Sequence, residues 1–358
     1  MLAPPVAKEV VYRPSASLIL AAQDDSSKAY DFNLLLIKRS ERTSYTLNHC
    51  VFPGGGFDVE SDESSDWLNY FQSFGINQDH LTQLRCKDQV SGRPNLMTDG
   101  KNFSRDISLR ITALREAFEE VGILLCRHRD NLWHGSPSLV HPVEHAEWQQ
   151  KVHNDASQFL ELCRHLDVLP DLWLLHEWSI WRSGATSSRK FDTVYYIAVL
   201  ETPASQVELL LEPQEVISAH WLNPSEAWSS YREKCIWLPF ILMYEIGKLM
   251  NFHQAKDLLN FASKRNALGS TLIQPIFYSC DDGMLGVFAG DDLYLPDPDK
   301  YTKSIILKGS LRDYNRQAKN YNRMIFQDFH EVKLASNVAP LDGHLSLQSE
   351  VNYQLAKL

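Results

Sequence analysis

Short apolar runs alternate along the chain with segments of helical spacing, and that alternation predicts most of the architecture. Residues 10–21 and 33–38 read as two strands joined by a polar turn at 23–28. In the segment ending at Gly122, Ile111, Leu114, Phe118 and Val121 recur at helical spacing and form an apolar stripe suited to docking on a sheet. Asp106 or Ser108 stands where that helix needs a capping oxygen, and Gly122 where it needs a terminator. Residues 143–165 have helical composition, with Trp148, Val152, Phe159 and Leu162 as packing positions. Residues 174–182 and 193–200 read as a strand pair across the turn-rich stretch 183–188, and 216–222 as another strand. Pro224-Ser225-Glu226 opens a helix, and one long helix is expected from 238 to about 265. A hairpin is expected within 276–295, around Asp281-Asp282-Gly283 and Gly290-Asp291-Asp292. Strands and helices mixed in this order belong to the α/β class, as an α/β/α sandwich.

The polar face of the helix before Gly122 carries the chemistry. Glu116, Glu119 and Glu120 stand at i, i+3 and i+4, so three carboxylates crowd one face. Exposed like charges at that spacing repel by roughly 0.2–0.5 kcal/mol per pair. A solvated acidic surface is the bland explanation. A hard divalent cation, Mg²⁺ or Mn²⁺, is the functional one, because carboxylate oxygens without interleaved thiol or imidazole suit it. Such an ion in turn suits a diphosphate substrate. Arg115 lies four residues before Glu119 and can hold it in place. Upstream, Gly54, Gly55 and Gly56 follow Pro53, and a glycine loop can approach a ligand backbone-first.

Arg-Glu-Ala-Phe-Glu-Glu-Val-Gly-Ile at 115–123 resembles the second half of the Nudix box, and Phe52-Pro53-Gly54-Gly55 its first half. The resemblance implies a Nudix-type α/β/α sandwich, metal-binding roles for Glu116, Glu119 and Glu120, an orienting role for Arg115, and substrate contacts at Gly54 and Gly55. It also implies that residues 61–108 are a helical insertion inside the box, with a helix at 67–74. Asp58, Glu60 and Glu63 are the candidates for the box's upstream acid. An interrupted box, His49-Cys50-Val51 before it and Arg189-Lys190-Phe191-Asp192-Thr193 after it are similar to the peroxisomal acyl-coenzyme A diphosphatase group (nucleoside diphosphate-linked moiety X motif 19 type). The implied reaction is hydrolysis of coenzyme A or acyl-coenzyme A to 3′,5′-ADP and (acyl-)4′-phosphopantetheine. Arg39 and Arg42 match part of a coenzyme A motif, while Ser44 and Asn48 depart from it. Another nucleoside diphosphate derivative (ADP-ribose, NADH or a capped nucleotide) and a non-catalytic nucleotide-binding module remain the alternatives. Glu120, Glu212 and Glu215 are the candidate general bases.

Charge and composition narrow the partners. A net charge of −10 argues against a general nucleic-acid binder, so cations for an anionic substrate must be gathered locally. Lys38, Arg39, Arg42, Arg182, Arg189 and Lys190 are the candidates. The six cysteines show no Cys-x-x-Cys spacing, which points to free thiols rather than a zinc site. The most apolar stretch, 236–244, is too short to span a bilayer. Ala356-Lys357-Leu358 is a close variant of the Ser-Lys-Leu peroxisomal address, which makes an import receptor an expected partner and the peroxisome the expected location. The expected organisation is a Nudix domain at 8–266, an extension at 267–336 and a flexible tail at 337–358.

Overall fold

The computed structural model describes residues 11–24, 29–40, 46–86, 92–94, 97, 100–133, 138–140, 143–328, 331–348 and 351–352. Strands β1 (Arg13–Gln23) and β2 (Phe32–Arg39) lead to the short β3 (Cys50–Val51) and β4 (Gly54–Gly56). Helices α1 (Asp66–Ser73) and α2 (Gln78–Thr82) precede the long α3 (Arg105–Val121). Next come β5 (Leu124–His128), β6 (Ser138–Val140), α4 (His145–Asn154), α5 (Gln158–Leu166) and β7 (Val168–Pro170). Strands β8 (His176–Arg182), β9 (Phe191–Pro203) and β10 (Val216–Leu222) are followed by α6 (Pro224–Arg232), α7 (Phe240–Leu249) and α8 (Ala255–Asn266). Strands β11 (Leu272–Ile273), β12 (Ile276–Cys280), β13 (Gly283–Val287) and β14 (Ile305–Ile306), helix α9 (Leu311–Gln317), and strands β15 (Asn322–Phe326) and β16 (Val332–Ser336) complete the chain.

The main sheet has eight strands in the order β10-β2-β1-β9-β8-β11, with β3 added to β2 and β4 to β1. At its centre β1 runs parallel to β9 and antiparallel to β2 and β4. A strand buried on both faces is apolar at successive positions, and residues 16–22 follow that rule. Leu18 and Leu20 face Ile107, Ile111, Leu114 and Phe118 of α3, whereas Ile19 and Ala21 face the layer of Leu242, Ile246 and Leu258 from α7 and α8. These two layers make the α/β/α sandwich. A second sheet, β14-β12-β13-β15-β16, closes a small core of its own around Ile276, Leu285 and Leu311. Its other face gives Met324, Val332 and Leu334 to the α7–α8 core. Asp291 grips the buried Arg323 through two oxygens at 2.7 and 2.8 Å, so Gly290-Asp291-Asp292 anchors β15 rather than a hairpin tip.

Helix α3 ends as expected, with Gly122 left-handed at φ 71°, but its cap is Ser104, whose hydroxyl accepts from the Asp106 N–H at 3.3 Å. Two expected long helices are broken. Residues 143–165 divide at Asp155, whose carboxylate accepts from the Ser157 N–H at 3.0 Å and turns the chain. The helix expected from 238 to 265 divides into α7 and α8, because Asp31 from the β1–β2 connection caps α8 at the Ala255 N–H. The segment after 337 is also not free where it is described. Leu347 and Val351 are buried against Gly247, where a Cβ would stand 3.1 Å from each, so the missing side chain makes room for the docking. Residues 353–358, with Ala356, Lys357 and Leu358, lie outside the described residues.

Inside the sandwich, burial lowers the pKa of His176 to about 4, with Arg110 adding to the shift. The folded protein therefore keeps this ring neutral while the unfolded chain takes up a proton below about pH 6.5. The contribution is complete above pH 6.5 and is lost as pH falls toward 4, at up to about 1.4 kcal/mol per pH unit. Urea denaturation at pH 7, 6 and 5 should show a smaller acid loss for His176→Gln than for wild type. Parallel curves for the two proteins would show that His176 does not contribute this term.

Candidate active site

Pairing of β4 with β1 sets Gly54, Gly55 and Gly56 opposite Ser17, Ala16 and Ser15. Gly54 sits at φ 153°, where a side chain is strained and would strike β1. A Cβ on Gly55 would overlap the Glu116 carboxylate, so the glycine loop leaves that carboxylate its place. The Gly54 N–H donates to Glu120 at 2.8 Å, which spends this amide on the helix rather than on a ligand. Arg39, at the end of β2, approaches Glu120 from the other side at 3.5 Å. Arg42 lies outside the described residues.

Arg115 organises the acids. Its Nε and Nη2 donate to Asp62 at 2.8 Å each, Nη2 also donates to the Gly56 carbonyl at 2.8 Å, and Nη1 donates to Glu116 at 2.9 Å and Glu119 at 2.5 Å. All five guanidinium N–H groups are thereby spent. Asp62 accepts further from Thr112 Oγ1 at 2.8 Å and from the Asp58 N–H at 3.1 Å. Asp62 was not among the expected upstream acids. Glu63 instead pairs with Arg105 at 2.9 Å and accepts from the Asn102 N–H at 3.0 Å, while Glu60 pairs with Lys101 at 3.6 Å on the surface. Asp58 accepts from the N–H groups of Glu60 and Ser61. Counting the box spacing from Gly56 rather than Gly55 lands on Asp62, and that was the signal available in the sequence.

Glu116, Glu119 and Glu120 line one cavity of about 550 Å³, together with Arg39, His49, His153, Arg189 and Glu215. Burial raises the pKa of all three glutamates. Arg115 opposes the rise at Glu116 and Glu119, and Arg39 opposes it at Glu120. His153 Nδ1 stands 4.0 Å from Glu119. Among the described residues no three His, Cys, Asp or Glu side chains converge as a ready cation cage. The reason is visible in the hydrogen bonds: Arg115 draws Glu116 and Glu119 together, while Gly54 and Arg39 draw Glu120 away. The donor set still fits a hard divalent ion, since it is all carboxylate and carries more negative charge than its neighbours balance.

The two loop acids before β10 separate cleanly. Glu212 is buried, and its Oε2 accepts from the Gln214 and Glu215 N–H groups at 2.7 and 2.9 Å, so it holds the turn. Glu215 faces the cavity. The expected cations separate as well. Arg182 is bound by Asp192 at 2.7 Å and Asp299 at 2.9 Å, and Lys190 donates to the Ala185 carbonyl, while Arg39 and Arg189 line the cavity.

Comparison with known proteins gives the family. The family model for the NUDT19 Nudix domain matches residues 12–249, and that for the NUDT19 C-terminal domain matches residues 277–337. The chain is 31% identical to the acyl-coenzyme A diphosphatase NUDT19 of Homo sapiens, over 95% of this chain and 96% of that one. It is 30% identical to the protein of that name from Xenopus laevis, over 91% and 89% of the two chains. A NUDIX hydrolase structure from Alicyclobacillus acidocaldarius superposes with a TM-score of 0.52 at 17% identity, covering 71% of this chain and 97% of that one, which supports the fold. The sandwich, the glycine loop and the glutamate helix are those of a Nudix hydrolase, a class that works with a divalent metal. Within that class the chain belongs to the NUDT19 family.

Asp62→Asn removes the charge that holds Arg115 while nearly preserving shape. Loss of such an outer partner should lower activity by roughly 10–100-fold. Steady-state kinetics beside a circular-dichroism melt will check it, and unchanged activity would show that Asp62 does not position the site.

Proposed function

We propose that the protein hydrolyses the diphosphate bond of coenzyme A and acyl-coenzyme A, giving 3′,5′-ADP and (acyl-)4′-phosphopantetheine. The observation that carries the reading is the set of three glutamates beside the glycine loop, two of them held by Arg115 and the third by the Gly54 N–H. The named activity of the relatives, acyl-coenzyme A diphosphatases that align over nearly the whole chain, supplies the substrate class. A diphosphate resists attack because its oxygens repel a nucleophile. Glu116, Glu119 and Glu120 would hold Mg²⁺ or Mn²⁺, which when bound neutralises that charge. Arg115 keeps Glu116 and Glu119 on the cavity side of the helix. Arg39 brings positive charge beside Glu120, where the diphosphate would lie. Glu215 is the loop acid facing the cavity and is the candidate to accept the proton of the attacking water.

Product analysis with coenzyme A and Mg²⁺ should show release of 3′,5′-ADP by wild type. Glu119→Gln should reduce the rate by about 100-fold or more, since it removes a carboxylate from the metal set. Cleavage of ADP-ribose or NADH in place of every coenzyme A ester would keep the hydrolase and reject the substrate. Silence on all diphosphates would favour a binding module.

Location is a separate part of the proposal, supported by the terminal Ala356-Lys357-Leu358. The protein expressed with an N-terminal fluorescent tag should collect in peroxisomes and disperse when these three residues are removed. A distribution indifferent to their removal would reject the signal.

A further inference from the structure

A helix outside the interrupted box brings a donor of a different kind to the glutamates. Helix α4 carries His145, Gln149 and His153 at intervals of four residues, so the three side chains share one face. That face lies on the end of α3. His145 Nε2 meets the Gly122 carbonyl at 2.8 Å, and its ring stacks on Phe118 with centroids 5.5 Å apart. One turn on, the buried Gln149 amide donates to the Glu119 and Leu210 carbonyls at 3.0 and 2.7 Å. These contacts fix the register of α4 against α3. His153, next in the series, is thereby carried past the Glu119 backbone to its carboxylate, and both residues line the cavity of the three glutamates.

Nδ1 of His153 stands 4.0 Å from Glu119 Oε2, too far for a hydrogen bond. Two donors held by one small divalent ion, at roughly 2.1 Å each, stand at most about 4.2 Å apart, so this pair lies within reach of a shared ion. Glu119 is divided in the way such sharing needs. Its Oε1 accepts from Arg115 Nη1, and its Oε2 is the oxygen nearest the ring. A ring nitrogen also changes which ion the donor set prefers. Mg²⁺ is bound by oxygen ligands, whereas imidazole is a ligand for transition metals. Mn²⁺ is the transition ion that also suits carboxylates, so three carboxylates with one imidazole favour it over Mg²⁺. On the metal-holding role proposed above for Glu116, Glu119 and Glu120, we infer that His153 is a further metal ligand, supplied by α4, and that it turns the preference of the site from Mg²⁺ to Mn²⁺.

The test needs no turnover. Calorimetric titration of the full chain, without a histidine tag, should give tighter binding of Mn²⁺ than of Mg²⁺. His153→Ala should weaken Mn²⁺ binding by about tenfold or more, no less than the loss of an outer partner costs, and leave Mg²⁺ binding nearly unchanged. His153→Gln, which keeps much of the bulk of the ring, should repeat that result. A merely structural role would weaken both ions together. That outcome, an unchanged preference, or no Mn²⁺ binding by wild type overturns the inference. Electron spin-echo spectra of the Mn²⁺-loaded protein read the bond itself: wild type should show nitrogen modulation, and both variants should lose it. Modulation absent from wild type, or persisting in the variants, also overturns the ligand. Cleavage of coenzyme A is scored separately. If no coenzyme A ester is cleaved while the nitrogen signal depends on His153, the proposed activity fails and the ligand stands. If coenzyme A is cleaved and no nitrogen signal appears, the activity stands and the ligand fails.

Discussion

The buried guanidinium of Arg115 is the constraint on which the site depends. A buried arginine is tolerated only when its charge is paired and its donors are used, and here all five donors have partners. Those partners come from three separate pieces of chain: Gly56 from the glycine loop, Asp62 from the start of the insertion, and Glu116 and Glu119 from the helix that follows it. One side chain thus restores in space a motif that is interrupted in sequence. The insertion leaves and rejoins at a pinned neck, where Asp62 holds Arg115, and Glu63 holds Asn102 and Arg105. Farther out, Arg93 bridges Asp106 and Glu177, and Trp67, Tyr70 and Phe71 of α1 enter the core beneath α3. Because closure cost grows only slowly with loop length, such a segment is compatible with the site as long as its neck is fixed.

What could be read from the sequence was what local pattern decides. The apolar runs of β1 and β2 and the stripe of α3 are periodic signals, and Gly122 is left-handed as a terminating glycine should be. Glu116, Glu119 and Glu120 at helical spacing, with Arg115 before them, marked the candidate site from the sequence alone. The parts that escaped depend on distant chain. Composition alone does not distinguish Asp62 from Asp58, Glu60 or Glu63; the spacing from Gly56 points to it, and the position of Arg115 selects it. No helix breaker marks the division of α7 from α8, because its cause is Asp31, far away in sequence. The docking of Leu347 and Val351 depends on the bare surface at Gly247. Cations were equally ambiguous as letters, and became distinguishable once Asp192 and Asp299 had claimed Arg182.

Charge then explains how an acidic chain can attract an acidic substrate. Among the described residues, Asp62, Glu116, Glu119 and Glu120 face Arg115 and Arg39 in direct ion pairs, with His153 4.0 Å from Glu119, so with the carboxylates ionised and His153 neutral the cluster holds two negative charges in excess. Burial makes that excess costly, which is why the glutamate pKa values rise. A divalent cation supplies the balancing charge, whereas a further arginine in the cluster would pair with the carboxylates that a cation needs.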